Sequence, residues 1–249
     1  MSEERKLVGK QYQDLYADYY SNADRTLAKR RISAVQSVDC LVKAIGDRTP
    51  RNLLDVGAGD GNVLAQLSER EFPSDLYAVE ISSSGVEAIR ARGLRSLRDA
   101  QLFDGYRIPY PDKHFDLAMA VHVLEHVEHE RMFLREIGRV ARHAFVEVPL
   151  EHGFRIQRSI DSGKKYGHIN FYTKETLRSL LESSGMKVID CRIVASSLKY
   201  EQHLSGRARG WIKSLVRNSA LAILPRLAPW VMVYNAYAYC ECDPTVASA

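Results

Sequence analysis

The chain has 249 residues, enough for one large hydrophobic core, so we expect a single domain over residues 1–249. Its 35 basic and 31 acidic side chains give a formal net charge of only +4, which does not favour nucleic acid as the partner. Without a signal peptide, a transmembrane-length apolar run of about 18 residues or a C-x-x-C pair, the sequence predicts a reduced, cytoplasmic protein.

Residues 11–45 are predicted to be helical. Four tyrosines recur there at a spacing close to i, i+4, i+7 and i+8, which places them on one helix face. They are Tyr12, Tyr16, Tyr19 and Tyr20. Packing against the core would explain this stripe, and a cover over a bound ligand is the alternative interpretation.

The next segment predicts a strand (52–57), a tight turn and the start of a helix. An apolar run that contains Asp55 leads into three glycines at alternate positions, and a helical pattern begins at Val63. Glycine is needed where the backbone takes a positive φ or where a ligand comes close. The dinucleotide motif G-x-G-x-x-G places its third glycine one residue later. A carboxylate at Asp55 would also repel a pyrophosphate, whereas it suits a cationic ligand.

This segment resembles the D-x-G-x-G-x-G motif of class I S-adenosylmethionine-dependent methyltransferases, through Asp55, Gly57, Gly59 and Gly61. The resemblance implies an α/β fold with a Rossmann-like, seven-stranded, mostly parallel sheet flanked by helices. In that fold the last strand is antiparallel and lies between strands five and six. The implied cofactor is S-adenosyl-L-methionine, with S-adenosyl-L-homocysteine as its product. Asp55 and the glycine turn, including Ala58, would hold the methionine part.

The same resemblance implies a helical lid over the cofactor at residues 1–45, with Tyr20 among its contacts. The second predicted strand, 76–80, ends in Glu80, whose carboxylate would accept hydrogen bonds from both ribose hydroxyls. Ile81 would then pack on the adenine.

A third motif follows at Asp104-Gly105-Tyr106-Arg107-Ile108-Pro109-Tyr110, which resembles the family stretch D-x-x-x-L/I-P-F/Y. It implies that Asp104 accepts a hydrogen bond from the adenine amino group and that the backbone at Gly105 approaches the ring. Asp99 is a competing candidate for the same role.

The fourth predicted strand, 115–121, leads into three ionisable residues, His122, Glu125 and His126. In a helix these positions share one face. They would lie where the transferred methyl group is expected. One interpretation is that Glu125 and His126 only fix the turn, and another is that His122 or His126 acts as the general base.

In a third interpretation, His122, Glu125, His126 and the later His168 together bind a divalent metal. This pattern resembles the metal-dependent small-RNA 2′-O-methyltransferases, whose motif is E-x-x-E-H with a distant histidine. Here His122 replaces the first glutamate, which would favour transition metals over Mg²⁺. Our site prediction assigns no metal and names His122, Glu125, His126 and His168 as the candidate catalytic residues.

Two further segments are predicted to be substrate-side insertions, 151–173 and 198–231. The first is a long polar loop with a basic bias, including Arg155, Arg158, Lys164 and Lys165, and the second contains an amphipathic basic helix. Peripheral contact with a membrane, a cap over the substrate and a dimer face are alternatives for that helix. Strands five, six and seven are predicted at 144–149, 187–195 and 232–242.

Together these patterns predict methyl transfer from S-adenosylmethionine to a small-molecule or sugar acceptor, through O-methylation. A metal-assisted RNA 2′-O-methyltransferase and a non-catalytic, methyltransferase-like binding scaffold are the alternatives. The expected assembly is a monomer or a homodimer, and nucleic acid is not the expected partner.

Overall fold

The computed structural model describes residues 24–72, 74–154, 156–163 and 167–242. The tyrosines of the predicted lid, Tyr20 among them, lie outside these ranges, and so do Arg155, Lys164 and Lys165. Within the segment predicted to be helical, 11–45, the structure describes one helix, α1, at Asp24–Ile45.

Seven strands form one sheet. They are β1 (Asn52–Val56), β2 (Asp75–Glu80), β3 (Leu97–Leu102), β4 (Phe115–Val121), β5 (Ala141–Leu150), β6 (Met186–Val194) and β7 (Tyr234–Cys242). The strand order is β3-β2-β1-β4-β5-β7-β6. Strands β1 to β5 pair in parallel, and β7 is antiparallel to both β5 and β6. This confirms the predicted Rossmann-like fold and the position of the last strand.

Helices connect these strands. They are α1 as above, α2 (Asn62–Glu69), α3 (Ser83–Ala91), α4 (Glu130–Val140), α5 (Ile156–Gly163), α6 (Lys174–Ser183), α7 (Leu198–Ser205), α8 (Arg207–Ile223) and α9 (Ala228–Val231). A short 3-10 helix covers Leu124–His126. No helix in the described part of the chain is long and apolar enough to cross a membrane.

The centre of the sheet is buried on both faces, which is the condition of a parallel sheet covered by helices. Strand β4 is apolar at nearly every position, and Phe115 and Met119 are completely buried. Because parallel strands all end at the same edge, the residues after β1, β2, β4 and β5 meet there. That edge carries the candidate site.

Several predicted boundaries change in the structure. Segment 151–173 is not a loop throughout, since α5 forms within it. Strand β5 begins at Ala141, three residues before the prediction, because α4 runs directly into it and because β7 pairs with it as far as His143. Segment 198–231 holds three helices, since Gly206 separates α7 from α8 with a φ of 82°.

Candidate active site

A cavity of about 700 Å³ opens at the carboxyl ends of the central strands. Its floor is formed by the glycine turn after β1, the end of β2 and the residues after β4 and β5. Open α/β sheets bind ligands at this edge, and cavities of this size hold small molecules and cofactors.

The glycine turn adopts the backbone that its sequence demands. Gly57 and Gly59 have φ values of 75° and 58°, and Gly61 begins α2 with a φ of 75°. A Cβ atom at Gly57 would lie 2.8 Å from Cγ2 of Val123, so a side chain is excluded there by contact as well. Gly57 and Ala58 line the cavity, whereas Gly61 lies behind it. The turn therefore exposes backbone to a ligand, as the motif predicts.

Glu80 connects this turn to the start of α3. Its Oε2 accepts from the backbone N–H of Gly59 at 2.9 Å, and its Oε1 accepts from the N–H of Ser82 at 3.1 Å. The side chain is 3% exposed and lines the cavity, and burial raises the pKa of its carboxyl. The same carboxylate thus fixes two loops and presents its remaining lone pairs to a ligand.

We expect Glu80→Ala to weaken binding of S-adenosylmethionine by about 1–3 kcal/mol. The change removes an acceptor for the ligand and leaves the backbone N–H groups of Gly59 and Ser82 without their partner. Titration calorimetry measures this change, and Glu80→Gln serves as the matched variant that keeps the side-chain shape. Equal affinity in the wild type and in both variants would remove Glu80 from the binding site.

Gly85 is a part of the site that the sequence did not reveal. A Cβ atom there would lie 2.7 Å from Cγ of Glu80 and 2.8 Å from the carbonyl oxygen of Gly59. The residue is buried in the first turn of α3, where Ser82 caps the helix. The sequence signal was a glycine inside a predicted helix, which lowers helix propensity and so calls for a packing reason.

We expect Gly85→Ala to reduce affinity for S-adenosylmethionine at least as much as Glu80→Ala does, since the new methyl group displaces both Glu80 and the glycine turn. The control is Gly138→Ala, which also lies in a helix without a positive φ and whose added Cβ would meet only Cε of Met186, at 4.0 Å. If both variants bind alike, the close approach at Gly85 has no part in holding the cofactor.

Asp55 lies buried below the turn and is 2% exposed. Burial, assisted by the charge of Glu80, raises the pKa of Asp55 to about 8. Its Oδ2 has no hydrogen-bond partner among the described residues, and Asp55 is not one of the residues found lining the cavity. A cation bound at the turn above Asp55, such as the methionine part that the motif implies, would favour the charged form of this carboxyl.

Asp104 does not reach the cavity. Its side chain is exposed, and Oδ1 accepts from the backbone N–H groups of Tyr106 and Arg107 at 2.8 and 2.6 Å. The carboxylate therefore closes its own turn, as aspartates commonly do. The backbone prediction fares better, because Gly105 lines the cavity together with Phe103 and Ile81. Asp99, the competing candidate, binds the hydroxyl of Tyr110 and does not line the cavity either.

His122 terminates β4 in a left-handed conformation, with φ at 56°. Its imidazole lies between two buried carboxylates, with Nδ1 3.2 Å from Glu125 and Nε2 3.6 Å from Glu147. Burial by itself lowers the pKa of His122, but these two carboxylates outweigh it and raise the pKa to about 10. His122 is therefore an imidazolium at neutral pH. As an imidazolium it would offer no lone pair to a proton or a metal ion, and the amide nitrogen of Asn235 lies 3.4 Å from its Nε2.

The surroundings of His126 favour the neutral form of its imidazole, in contrast to those of His122. Its Nδ1 lies 3.0 Å from the carbonyl oxygen of Gly167, which can only accept, so Nδ1 carries the proton and Nε2 carries the lone pair. Burial lowers the pKa of His126 below its usual range. This ring lines the cavity as a neutral base at physiological pH.

His168 completes a pair of rings, 4.9 Å from His126 between centroids and nearly perpendicular to it. Its Nδ1 lies 2.7 Å from Oε2 of Glu151. Burial lowers the pKa of His168, but Glu151 outweighs it, so the pKa lies above its usual range. Two adjacent histidines whose pKa values are pushed in opposite directions are typical of acid–base sites.

The same residues contain a group that could hold a metal ion. One ligand atom each from Glu125, His126 and His168 lie within 4.8 Å of one another. Glu125 is buried, and its Oε2 has no hydrogen-bond partner in the described part of the chain. His122 does not belong to this group, so the four-residue set from the sequence reduces to three. Two imidazoles and one carboxylate favour a transition metal.

The upper wall of the cavity comes from α1, α7 and α8, which lie in the predicted lid, 1–45, and in the predicted insertion, 198–231. Gln36 of α1 bonds both the carbonyl of Ala195 and the N–H of Ser197, which ties α1 to the start of α7. Glu201 of α7 is buried beside Arg217 of α8, at 3.4 Å. A glutamine and a glutamate inside amphipathic helices look like surface residues in sequence, so no pattern indicated these roles.

A glycine turn after β1, an acid at the end of β2 and a cavity at the carboxyl edge of a seven-stranded sheet with an antiparallel β7 define a class I methyltransferase domain. Residues 27–190 match the model of the methyltransferase domain family. The chain belongs to that family, which confirms the resemblance drawn from the motifs. The methyl donor of this superfamily is S-adenosylmethionine, and the buried acceptors of Asp55 and Glu80 fit it.

Relatives in this family differ in the atom that they methylate. The chain is 30% identical to ajmaline N-methyltransferase of Rauvolfia serpentina over 57% of its own length and 52% of that enzyme. It is 27% identical to a probable chloroplastic tocopherol O-methyltransferase of Oryza sativa subsp. japonica over 49% of its own length and 34% of that protein. The chain thus spans about half or less of these two relatives.

The structure is similar to that of geranyl diphosphate C-methyltransferase from Streptomyces coelicolor A3(2), solved with Mg²⁺, geranyl diphosphate and S-adenosyl-L-homocysteine. The TM-score is 0.66 at 12% identity, over 94% of this chain and 99% of that one. At this identity the similarity shows the fold alone. Nitrogen, oxygen and carbon acceptors are all represented among the three proteins, so kinship does not fix the acceptor atom.

Proposed function

We propose that this protein transfers the methyl group of S-adenosylmethionine to a hydroxyl oxygen of a small molecule or sugar, with His126 as the general base. The hydroxyl proton passes to Nε2 of His126 and the oxygen forms a bond to the methyl carbon. The carbon–sulfur bond breaks, and its electron pair stays on the sulfur of S-adenosylhomocysteine. The charges balance, because the sulfonium is neutralised as the imidazole becomes protonated.

The contact of Nδ1 of His126 with the carbonyl oxygen of Gly167, which leaves the ring's lone pair on Nε2, is the single observation that carries this proposal. A hydroxyl needs a base for its proton, whereas an amine already offers a lone pair. A histidine with a lowered pKa and a lone pair on Nε2 suits that task. The raised pKa of His122 instead favours a positioning role for this residue beside Glu125 and Glu147.

Neighbouring groups support the same assignment. Proton transfer makes His126 positive, and the buried carboxylate of Glu125 would stabilise that charge. The carbonyl of Gly167 holds the ring in the tautomer that carries its lone pair on Nε2. The pair of His168 and Glu151 supplies a second polar group beside His126, where it can orient an acceptor. The names of the two relatives, which concern ajmaline and tocopherol, support a small-molecule acceptor.

The test is an assay of S-adenosylhomocysteine release with a panel of alcohols, phenols, sugars, amines and carbon nucleophiles. The methylated atom in any product is identified by NMR. An O-methyl product, lost in a His126→Gln variant, supports the proposal, and a product methylated only on nitrogen or carbon overturns it. Calorimetry with S-adenosylmethionine tests the scaffold alternative, which requires that no binding occurs at millimolar ligand.

A metal-assisted form of the same O-methylation is the second candidate, favoured by the grouping of Glu125, His126 and His168. A divalent ion there would lower the pKa of a bound hydroxyl and make a separate base unnecessary. Elemental analysis of protein purified without a metal-affinity tag distinguishes the two forms. One divalent ion per chain, with turnover lost to a chelator, would support the metal, and full turnover in metal-free protein would support His126 as the base.

A further inference from the structure

Helices α8 and α9 and their connection, residues 207–233, present an apolar face that the rest of the described chain does not cover. We call this face the α8–α9 surface. Gly210 is the only fully buried residue of α8, and it contacts the backbone of Gln202 in α7. Trp211, Ile212, Leu215 and Val216 are 52–56% exposed along one side of the helix.

The surface continues through the connection into α9. Ile223, Leu227 and Val231 are 74%, 57% and 60% exposed, and Trp230 is 43% exposed. Its extent exceeds scattered exposure of single side chains, which is normal on soluble proteins. A contiguous patch of this kind indicates an interaction site. Both tryptophans of the chain, Trp211 and Trp230, lie on it.

The segment that contains this surface carries only positively charged side chains. Between residues 202 and 240 there are five lysines and arginines and no aspartate or glutamate. Removing these five from the 35 basic residues leaves 30 basic against 31 acidic side chains elsewhere, so this segment carries the whole positive excess. Four of the five cations are exposed, namely Arg207, Arg209, Lys213 and Arg226.

The combination of exposed apolar side chains and exposed cations indicates which kind of partner the α8–α9 surface binds. A second copy packed on the same surface would bring its exposed cations against identical ones, with no acid in the segment to neutralise them. A nucleic acid would match the charge but not the aliphatic side chains, since it binds through cations and aromatic stacking. Anionic lipid headgroups match the cations, while the acyl region takes up leucine, isoleucine and valine, and tryptophan prefers the interface between the two.

We propose that the α8–α9 surface docks the protein on anionic lipid bilayers. The surface is contiguous with the cavity, because Lys213 and Val233 belong to both. Phe154, which follows β5 and is 80% exposed, lies 6.0 Å from Trp230 between ring centroids and extends the apolar face. Docking therefore brings one wall of the cavity to the bilayer without a membrane-spanning helix.

The experiment uses the intact chain with vesicles of phosphatidylcholine alone or with phosphatidylserine. Sedimentation measures binding, and intrinsic fluorescence reports the environment of Trp211 and Trp230 without a label. We expect binding to the anionic vesicles to be at least about tenfold tighter, with a blue shift in emission and weakening in high salt. Equal binding to both vesicle types, or none to either, would overturn the proposal.

Matched variants distinguish vesicle binding through the α8–α9 surface from nonspecific adsorption of the protein to lipid. Leu215→Ser with Val216→Ser is expected to lower vesicle affinity about tenfold or more, and Arg207→Gln with Arg209→Gln is expected to do the same. The controls, Leu102→Ser and Arg95→Gln, change an exposed leucine and an exposed arginine elsewhere and should bind as the wild type does. Melting temperature and S-adenosylmethionine affinity verify that each variant is folded.

Two further results would assign the surface to another occupant and overturn the proposal. A blue shift that grows with protein concentration in the absence of lipid, together with a dimer in sedimentation velocity, would indicate a second copy. Displacement of the protein from anionic vesicles by a structured RNA, with tighter binding to that RNA than to the vesicles, would indicate nucleic acid.

Discussion

Replacing His126 by glutamine is expected to lower turnover about 100- to 10,000-fold, which is the usual contribution of a general base. Affinity for S-adenosylmethionine should change little, because the cofactor-binding groups on Gly57, Gly59 and Glu80 are separate from this ring. Glutamine preserves a polar side chain of similar reach, so the loss would report the missing proton acceptor rather than a cavity. Steady-state kinetics together with calorimetry measures the two effects.

The pH dependence of kcat provides the most specific test of this prediction. Because burial holds the pKa of His126 below its usual range, the wild-type kcat should fall only as the pH drops below about 6.5. The His126→Gln variant should lose that acidic limb. His129→Gln is the matched control, because His129 is exposed three residues away and outside the cavity lining. A His126 variant with wild-type rate and an unchanged acidic limb would contradict the assignment.

The second large effect is on stability and concerns His122. Its imidazolium neutralises two carboxylates that are completely or almost completely buried, Glu125 and Glu147. Removing one partner of a buried ion pair leaves an uncompensated charge and costs about 3–5 kcal/mol. We therefore expect His122→Asn to reduce the free energy of unfolding by that amount. Asparagine is the suitable replacement, since it tolerates the left-handed backbone at this position.

The pH dependence follows from the raised pKa. A histidine with a pKa of about 10 in the folded protein and about 6.5 when unfolded stabilises the fold fully below pH 6.5. That contribution is lost as the pH rises from 6.5 to 10. Chemical denaturation across this range should show the decline in the wild type and not in His122→Asn.

Glu147→Gln combined with His122→Asn tests the cause of this effect. It removes one of the two orphaned charges and should recover part of the lost stability. A double variant no more stable than His122→Asn, with a flat pH profile in the wild type, would show that His122 is not held as a cation.

Much of the fold could be predicted because its determinants are local in sequence. Strand β4 was predicted at its observed bounds, because a short, nearly continuous apolar run is typical of a strand that is buried on both faces of a parallel sheet. The glycine turn was predictable for a similar reason, because three glycines at alternate positions require positive φ values. The observed break at Gly206 was missed, since it divides an amphipathic pattern that continues on both sides.

The candidate site was predictable only in part. Glu80 and Gly105 reach the cavity as expected, whereas the carboxylate of Asp104 closes its own turn. Motif spacing places the backbone of a residue but not the direction of its side chain. The neighbours of that side chain decide its direction. The carboxylate of Asp104 points away from the cavity because it accepts hydrogen bonds from the backbone N–H groups of Tyr106 and Arg107.

The sequence by itself determined the family and the cofactor, because both depend on short motifs whose residues meet at one edge of parallel strands. The resemblance to that family also gave the place of the last strand. Only the tertiary structure distinguished the surroundings of His122 from those of His126. Both are histidines beside one glutamate, and their protonation depends on partners far along the chain, Glu147 for one and Gly167 for the other. The pKa of a histidine is set by burial and by nearby charges in space, which a linear pattern does not record.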